Sequence, residues 1–206
     1  MNIEYYSREK LNFIEVRNDC DLKVIFCDLG ASVYQISFDN VLMTRNAKNY
    51  QDFYRGDCYY GKTVGRTSNR LKGYRFEIHD EIYDLEKNEG DNVLHGGLNG
   101  LSTKRFLPSV KTYEDYIEVK YKYLSPHLES GYPGNVVVEV IYYIHKDSNR
   151  LDIRYVSSSD MDTLFSLTNH SYFSLGEDDI SALELFIRGS NYLEVDEHLL
   201  PIKKEK

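Results

Sequence analysis

Tryptophan is absent from this 206-residue chain, and cysteine occurs three times, at Cys20, Cys27 and Cys58. An odd set of thiols without metal-ligand spacing excludes a disulfide framework and predicts free, mostly buried cysteines in a reducing compartment. No apolar run approaches the length of a bilayer span. The longest, Val136 to Ile144, is interrupted by Glu139, and the first ten residues carry no apolar signal core. The expectation is a cytoplasmic protein that is not a membrane protein. Basic residues are outnumbered 25 to 33, for a net charge of -8, which argues against nucleic acid or an anionic membrane as a partner and leaves a neutral ligand compatible. Repeats, low-complexity tracts and linkers are missing as well. Nothing therefore divides the chain, and residues 1–206 read as a single domain.

Helical periodicity is the other absence: no apolar stripe persists for three turns. What is present is period two. Alternating runs occupy Leu11 to Arg17, Leu22 to Cys27, Ser32 to Phe38, Tyr74 to His79, Ile82 to Leu85, Ile117 to Tyr123, Val136 to Ile144 and Leu151 to Val156. Further runs at Leu164 to Leu167, Leu183 to Ile187 and Tyr192 to Val195 extend the rhythm. Nineteen tyrosines favour the same conclusion, because Tyr suits half-buried pleated positions. The spacing predicts an all-β sandwich or barrel. Turn chemistry separates the runs at Asp39-Asn40, Asn88 to Asn92, Ser125-Pro126 and Gly131 to Asn135. The irregular stretch from Asn46 to Lys72 is too long for a mere connection and reads as functional.

A formal phosphate-loop pattern at Gly56 to Thr63 is rejected, because it lacks the preceding apolar strand and following helix that would aim helix N-terminal amides at phosphate. Three other stretches carry chemistry. In Leu167 to Leu175, His170 sits among Asn169, Ser171 and Tyr172, an imidazole able to exchange a proton near neutrality beside groups able to orient a hydroxylated ligand. A lone histidine in a strand-like run is more often a core or surface residue, so the context matters. In Tyr60 to Arg70, glycines accompany Arg66, Asn69 and Arg70, and a guanidinium can fork hydrogen bonds to hydroxyls. In Asn92 to Gly97, two glycines leave His95 at a turn, free to approach a ligand.

Taken in order, Gly65-Arg66, Asn69-Arg70, Asn92 to Gly97, Gly131 to Asn135 and Leu167 to Leu175 resemble the aldose 1-epimerase (galactose mutarotase) family. The resemblance implies a galactose-mutarotase-like β-supersandwich, with His170 as general acid and Asn69, Arg70, His95 and Tyr172 binding an aldohexose such as galactose or glucose. It implies interconversion of α and β anomers with no metal or organic cofactor. Ser174 and Phe106 stand where the family usually has Asn and Trp. Family members continue beyond this point with the general base, which no residue here matches, so the general base is unknown. A fold incomplete at its C-terminus implies uncovered sheet edges and self-association. A carbohydrate-binding protein without turnover, or part of a longer or split epimerase, is the rival reading.

Overall fold

A computed structural model describes residues 1–55 and 58–205. The chain opens with a five-stranded antiparallel meander, β1 (Asn2–Arg8), β2 (Leu11–Arg17), β3 (Leu22–Cys27), β4 (Ser32–Phe38) and β5 (Val41–Leu42), paired in sequence order. After a single helical turn, α1 (Tyr50–Tyr54), come the short strands β6 (Thr63–Val64) and β7 (Arg70–Leu71), the hairpin β8 (Arg75–Ile78) and β9 (Glu81–Asp84), and β10 (Val93–Leu94). A second antiparallel meander follows: β11 (Leu107–Thr112), β12 (Tyr116–Ser125), β13 (Val136–His145) and β14 (Leu151–Ser159). The chain then returns through β15 (Thr168–Asn169) to pair with β6, and ends in the hairpin β16 (Leu193–Val195) and β17 (Pro201–Glu205).

The two meanders pack face to face because each strand sorts its side chains by parity. Ile14 and Val16 of β2 and Leu22, Val24 and Phe26 of β3 meet Val119 and Tyr121 of β12 and Val138, Val140 and Tyr142 of β13 in one buried cluster. Phe26 and Tyr142 stack across the interface with ring centroids 4.7 Å apart. The odd positions of β2 and β3 face the other way, where Leu11, Phe13 and Ile25 are covered by Phe53 of α1 and by Tyr34 and Tyr50. Tyr34 is the extra residue of a bulge in β4, between the pairs Phe26↔Val33 and Ile25↔Gln35. On the outer face of β13, Glu139 lies between Lys120 and Lys122, at 3.6 and 3.8 Å.

Several sequence expectations need correction. Leu183 to Ile187 forms no strand, and Leu185, Phe186 and Ile187 are 86%, 83% and 71% exposed. Alternation creates a strand only where an edge is available to pair, and this segment meets none among the described residues. Leu164 to Leu167 contributes only a bridge, Ser166 to Thr67. Conversely, β1 and β11 arise where no strand is expected, each as the first, mostly exposed strand of its meander. Of the three cysteines only Cys27 is fully buried. Among the described residues no helix is long and apolar enough to cross a membrane. The rejected phosphate-loop pattern begins with Gly56 and Asp57, outside the described residues, and a strand, not a helix, follows it at Thr63.

Candidate active site

His170 is held by the first sheet. Its N–H donates to the Lys62 carbonyl (2.9 Å) and its carbonyl accepts from Gly61 N (3.0 Å), extending the β6–β15 pairing by one step. The Gly61 carbonyl in turn accepts from Val33 N of β4 at 2.9 Å. That approach requires glycine: a Cβ at Gly61 (φ +63°) would lie 1.8 Å from the Val33 carbonyl oxygen. Asn169 and Ser171 are framework, contrary to the expectation that they orient a ligand. The Asn169 amide donates to Gly61 O (2.8 Å), and its oxygen accepts from the Ser171 amide and hydroxyl at 3.1 and 2.6 Å.

His95 arrives from the other side. β10 pairs with β7 in a register that sets Leu94 opposite Arg70, so the next residue meets Asn69. His95 N donates to Asn69 O (3.1 Å), and Asn69 N donates back to His95 Nδ1 (3.0 Å). Both residues are left-handed, at φ +60° for Asn69 and +54° for His95. A ring nitrogen that accepts an amide proton cannot carry one itself, so neutral His95 bears its proton on Nε2 and presents a donor there. Gly96 serves packing and not ligand approach, for a Cβ there would fall 1.9 Å from the Gly65 carbonyl oxygen.

The two imidazoles meet edge to face, 5.0 Å between centroids. Tyr59, buried, packs against both, 4.7 Å from His95 and 5.4 Å from His170, and the half-exposed Tyr172 ring lies 4.8 Å from His170. Neither ring nitrogen of His170 has a hydrogen-bond partner among the described residues, and no carboxylate among them contacts it. Of the sequence-nearest acids, Asp179 serves elsewhere, its carboxylate capping Ser181 N at 2.9 Å. Burial, then the nearby His170 and Arg70, push the His95 imidazole down to about 4.

That shift has a sign. A histidine whose folded pKa lies below its unfolded value near 6.5 adds stability that is complete above pH 6.5 and is lost as pH falls through the window from 6.5 to about 4. The His95 ring resonances are expected to titrate with a midpoint near 4 in an NMR pH series. A midpoint at the ordinary histidine value would mean that the ring is solvated and not held against Tyr59 and His170.

Arg70 is placed beside this cluster but engaged. Its Nε and Nη2 donate to Glu89 Oε2 and Oε1 at 2.7 and 2.8 Å. The pair lines a groove of about 850 Å3 with Lys72 and the turn from Asp196 to Leu200. Neither His95 nor His170 lines that groove, and the ring cluster, whose imidazoles are able to carry protons, is the better guide to the chemistry. Asn69 is exposed, joined to His95 through its backbone. The structure thus brings His170, His95 and Tyr172 into ring contact and sets Asn69 and Arg70 next to them. Sequence reasoning missed Tyr59 and Glu89. The only signals were a Tyr-Tyr pair before Gly61 and an acid inside a turn. Among the described residues no three His, Cys, Asp or Glu side chains converge as a metal site.

Arg66, the other arginine of the stretch, is structural. It is 2% exposed and donates to the carbonyls of Ser125 (3.0 Å), Pro126 (2.9 Å), Pro133 (2.6 Å) and Gly134 (3.0 Å) and to the Ser125 hydroxyl (3.0 Å). Its guanidinium ties both ends of the β12–β13 loop to the segment that leads into Asn69 and Arg70.

Fold and site together define a β-sandwich with two imidazoles, one just after β10 and one just after β15, packed edge to face. The family profile described as Aldose 1-epimerase matches residues 12–206, and the chain belongs to that family. It is 32% identical over 155 residues to an aldose 1-epimerase of Streptococcus thermophilus, covering 74% of this chain and 44% of the relative. It is 38% identical over 146 residues to a galactose mutarotase of Rattus norvegicus, covering 69% of this chain and 41% of the relative. The crystal structure of a galactose 1-epimerase from Lactobacillus acidophilus superposes with a TM-score of 0.88 at 28% identity, covering 100% of this chain and 62% of that one. The fold is the galactose-mutarotase-like β-supersandwich implied by the resemblance. The chain spans less than half the length of the two curated relatives.

Proposed function

We propose that residues 1–206, acting as one mutarotase-like domain, supply the sugar-binding and proton-donating part of an aldose 1-epimerase that interconverts the α and β anomers of a hexose such as galactose or glucose. The observation that carries this reading is the imidazole pair, 5.0 Å apart, in a chain of this family. Mutarotation opens a cyclic hemiacetal and recloses it on the opposite face. A proton must reach the ring oxygen and another must leave the anomeric hydroxyl, and neither transfer calls for a cofactor. His170, with neither ring nitrogen bonded to a partner among the described residues, is the acid at the ring oxygen. His95, neutral and donating from Nε2, binds a sugar oxygen and does not compete for the proton, since two adjacent imidazoles resist double ionisation. Arg70, Asn69 and Tyr172 hold the hydroxyl array. Three cysteines without a disulfide framework fit a reducing cytoplasm.

Isothermal calorimetry with galactose and glucose, beside polarimetry of freshly dissolved α-anomer, tests the proposal. Binding by the 206-residue chain supports it, and absence of binding to either hexose overturns it. Binding without turnover from a polypeptide that also carries the family's remaining segment would favour a non-catalytic carbohydrate-binding role. Arg70→Ala and His95→Ala are each expected to weaken hexose binding by roughly 1–3 kcal/mol, since each removes a directed hydrogen bond and strands a sugar hydroxyl. Unchanged calorimetric affinity in either variant would make that residue structural.

A further inference from the structure

We propose that Glu89 is a positioning residue for sugar binding: its carboxylate fixes the orientation in which Arg70 offers its remaining N–H groups to the ligand. The inference rests on the sugar-site reading above and adds a residue that reading does not contain. A guanidinium has five N–H donors. Glu89 takes two of them through parallel bonds of 2.7 and 2.8 Å, to Nε and Nη2, the edge-to-edge geometry in which a planar carboxylate constrains a planar guanidinium most. Both protons of Nη1 and one of Nη2 are left without acceptors among the described residues.

The carboxylate is fixed in turn. Glu89 N donates to Asn92 O (3.3 Å) and Asn92 N to Glu89 O (2.9 Å), with Gly90 at φ +59° between them. The Asn92 side-chain oxygen accepts from Gly73 N at 2.9 Å, which ties the turn to the segment just beyond β7. Asn88 ties it to the other strand, donating to Leu94 O (2.9 Å) and accepting from Leu94 N (2.7 Å), one residue before His95. One turn therefore grips Arg70 through its acid and the approach to His95 through its amide.

Exposure separates this pair from ordinary surface pairs. The Arg70 and Glu89 side chains are 18% and 34% exposed, against 54% and 56% for the pair of Arg75 and Asp84. Water competes less for the shielded pair, so its geometry persists. The consequence for binding is preorganisation: a long, rotamer-rich side chain already ordered in the folded protein is not ordered at the expense of the ligand. Glu89 also offsets the charge of Arg70 beside His95, the arginine acting to lower that imidazole's pKa and the glutamate to raise it.

The experiment is a double-mutant cycle of Glu89→Gln and Arg70→Ala, read by calorimetry with galactose and glucose and by the Arg70 Nε–H resonance. Glu89→Gln should weaken hexose binding about 2- to 10-fold, abolish the protected Nε–H signal expected of the parent, and cause no further loss when Arg70 is already Ala. Parental affinity in Glu89→Gln overturns the proposal. So does an equal loss in the Arg70→Ala background, since the effect would then bypass Arg70. Should Glu89→Gln fold poorly, the parent decides: an Arg70 Nε–H exchanging as fast as that of a free arginine overturns the proposal, and a protected one supports it. A parent with a protected Nε–H that binds neither hexose overturns the sugar-site reading and this proposal with it. A parent that binds while Glu89→Gln is indifferent overturns this proposal alone.

Discussion

Replacing His170 with Asn is expected to lower accelerated anomer exchange by about 10²–10⁴-fold while leaving hexose affinity within a few-fold. The assay is polarimetry on a polypeptide that also supplies an opposed base. Asn keeps the main-chain bonds that hold position 170, to the Lys62 carbonyl at 2.9 Å and from Gly61 N at 3.0 Å, so the loop that carries the residue should stay in place. What is removed is a proton donor that no other described group replaces. His95 cannot take over, because burial and its neighbours keep it neutral to about pH 4 and its Nδ1 is occupied by the Asn69 amide. A loss confined to kcat identifies an interaction made in the transition state, whereas a rise in KM alone would identify His170 as a binding group. Near-parental exchange by the variant would rule out the acid role.

Much of the sandwich was legible because two buried faces impose strict alternation. β2, β3 and β4 coincide with the runs read at Leu11 to Arg17, Leu22 to Cys27 and Ser32 to Phe38, and β13 with Val136 to Ile144 apart from its last residue. Legibility failed at the margins. β1 turns into β2 through Glu9 and Lys10, both at positive φ (48° and 63°). This two-residue hairpin is built from residues with no turn preference, unlike Asp39-Asn40 at the β4–β5 turn. β11 is exposed along nearly all its length and contains Pro108, so the burial that would have patterned it is missing. Leu183 to Ile187 shows the opposite failure, an apolar pattern without an edge to pair.

The site was legible in a different way. Periodicity says nothing about His95 and His170 meeting across 75 positions. Their meeting depends on β6 pairing with β15 and β7 with β10, two-residue strands too short to leave a pattern. The resemblance named the residues, and the structure supplies their relations. Where the residues alone suggested ligand contacts, at Asn169, Ser171 and Gly96, the groups turn out to be framework. Asn169 holds the Gly61 carbonyl, Ser171 holds the Asn169 side chain, and Gly96 packs on the Gly65 backbone.

Arg66→Met is expected to destabilise the fold by about 3–5 kcal/mol, an amount characteristic of breaking a buried charged network. Methionine restores much of the volume but none of the donors. The carbonyls of Ser125, Pro126, Pro133 and Gly134 and the Ser125 hydroxyl would then stay buried without the partner that now reaches each within 3.0 Å. Lysine should fare little better, because three donors at a single nitrogen cannot span acceptors at both ends of the β12–β13 loop. The loss should extend to the sugar site. Gly65, the preceding residue, accepts from Leu101 N at 2.9 Å and is the surface against which Gly96 packs, so loosening residue 66 frees the chain on both sides of the His95 turn. Urea unfolding should show the midpoint moving at constant slope, with a thermal midpoint lower by roughly 10 °C. A loss below about 1 kcal/mol, the scale of an exposed pair, would mean that water replaces the guanidinium and that the β12–β13 loop does not depend on Arg66 for its arrangement.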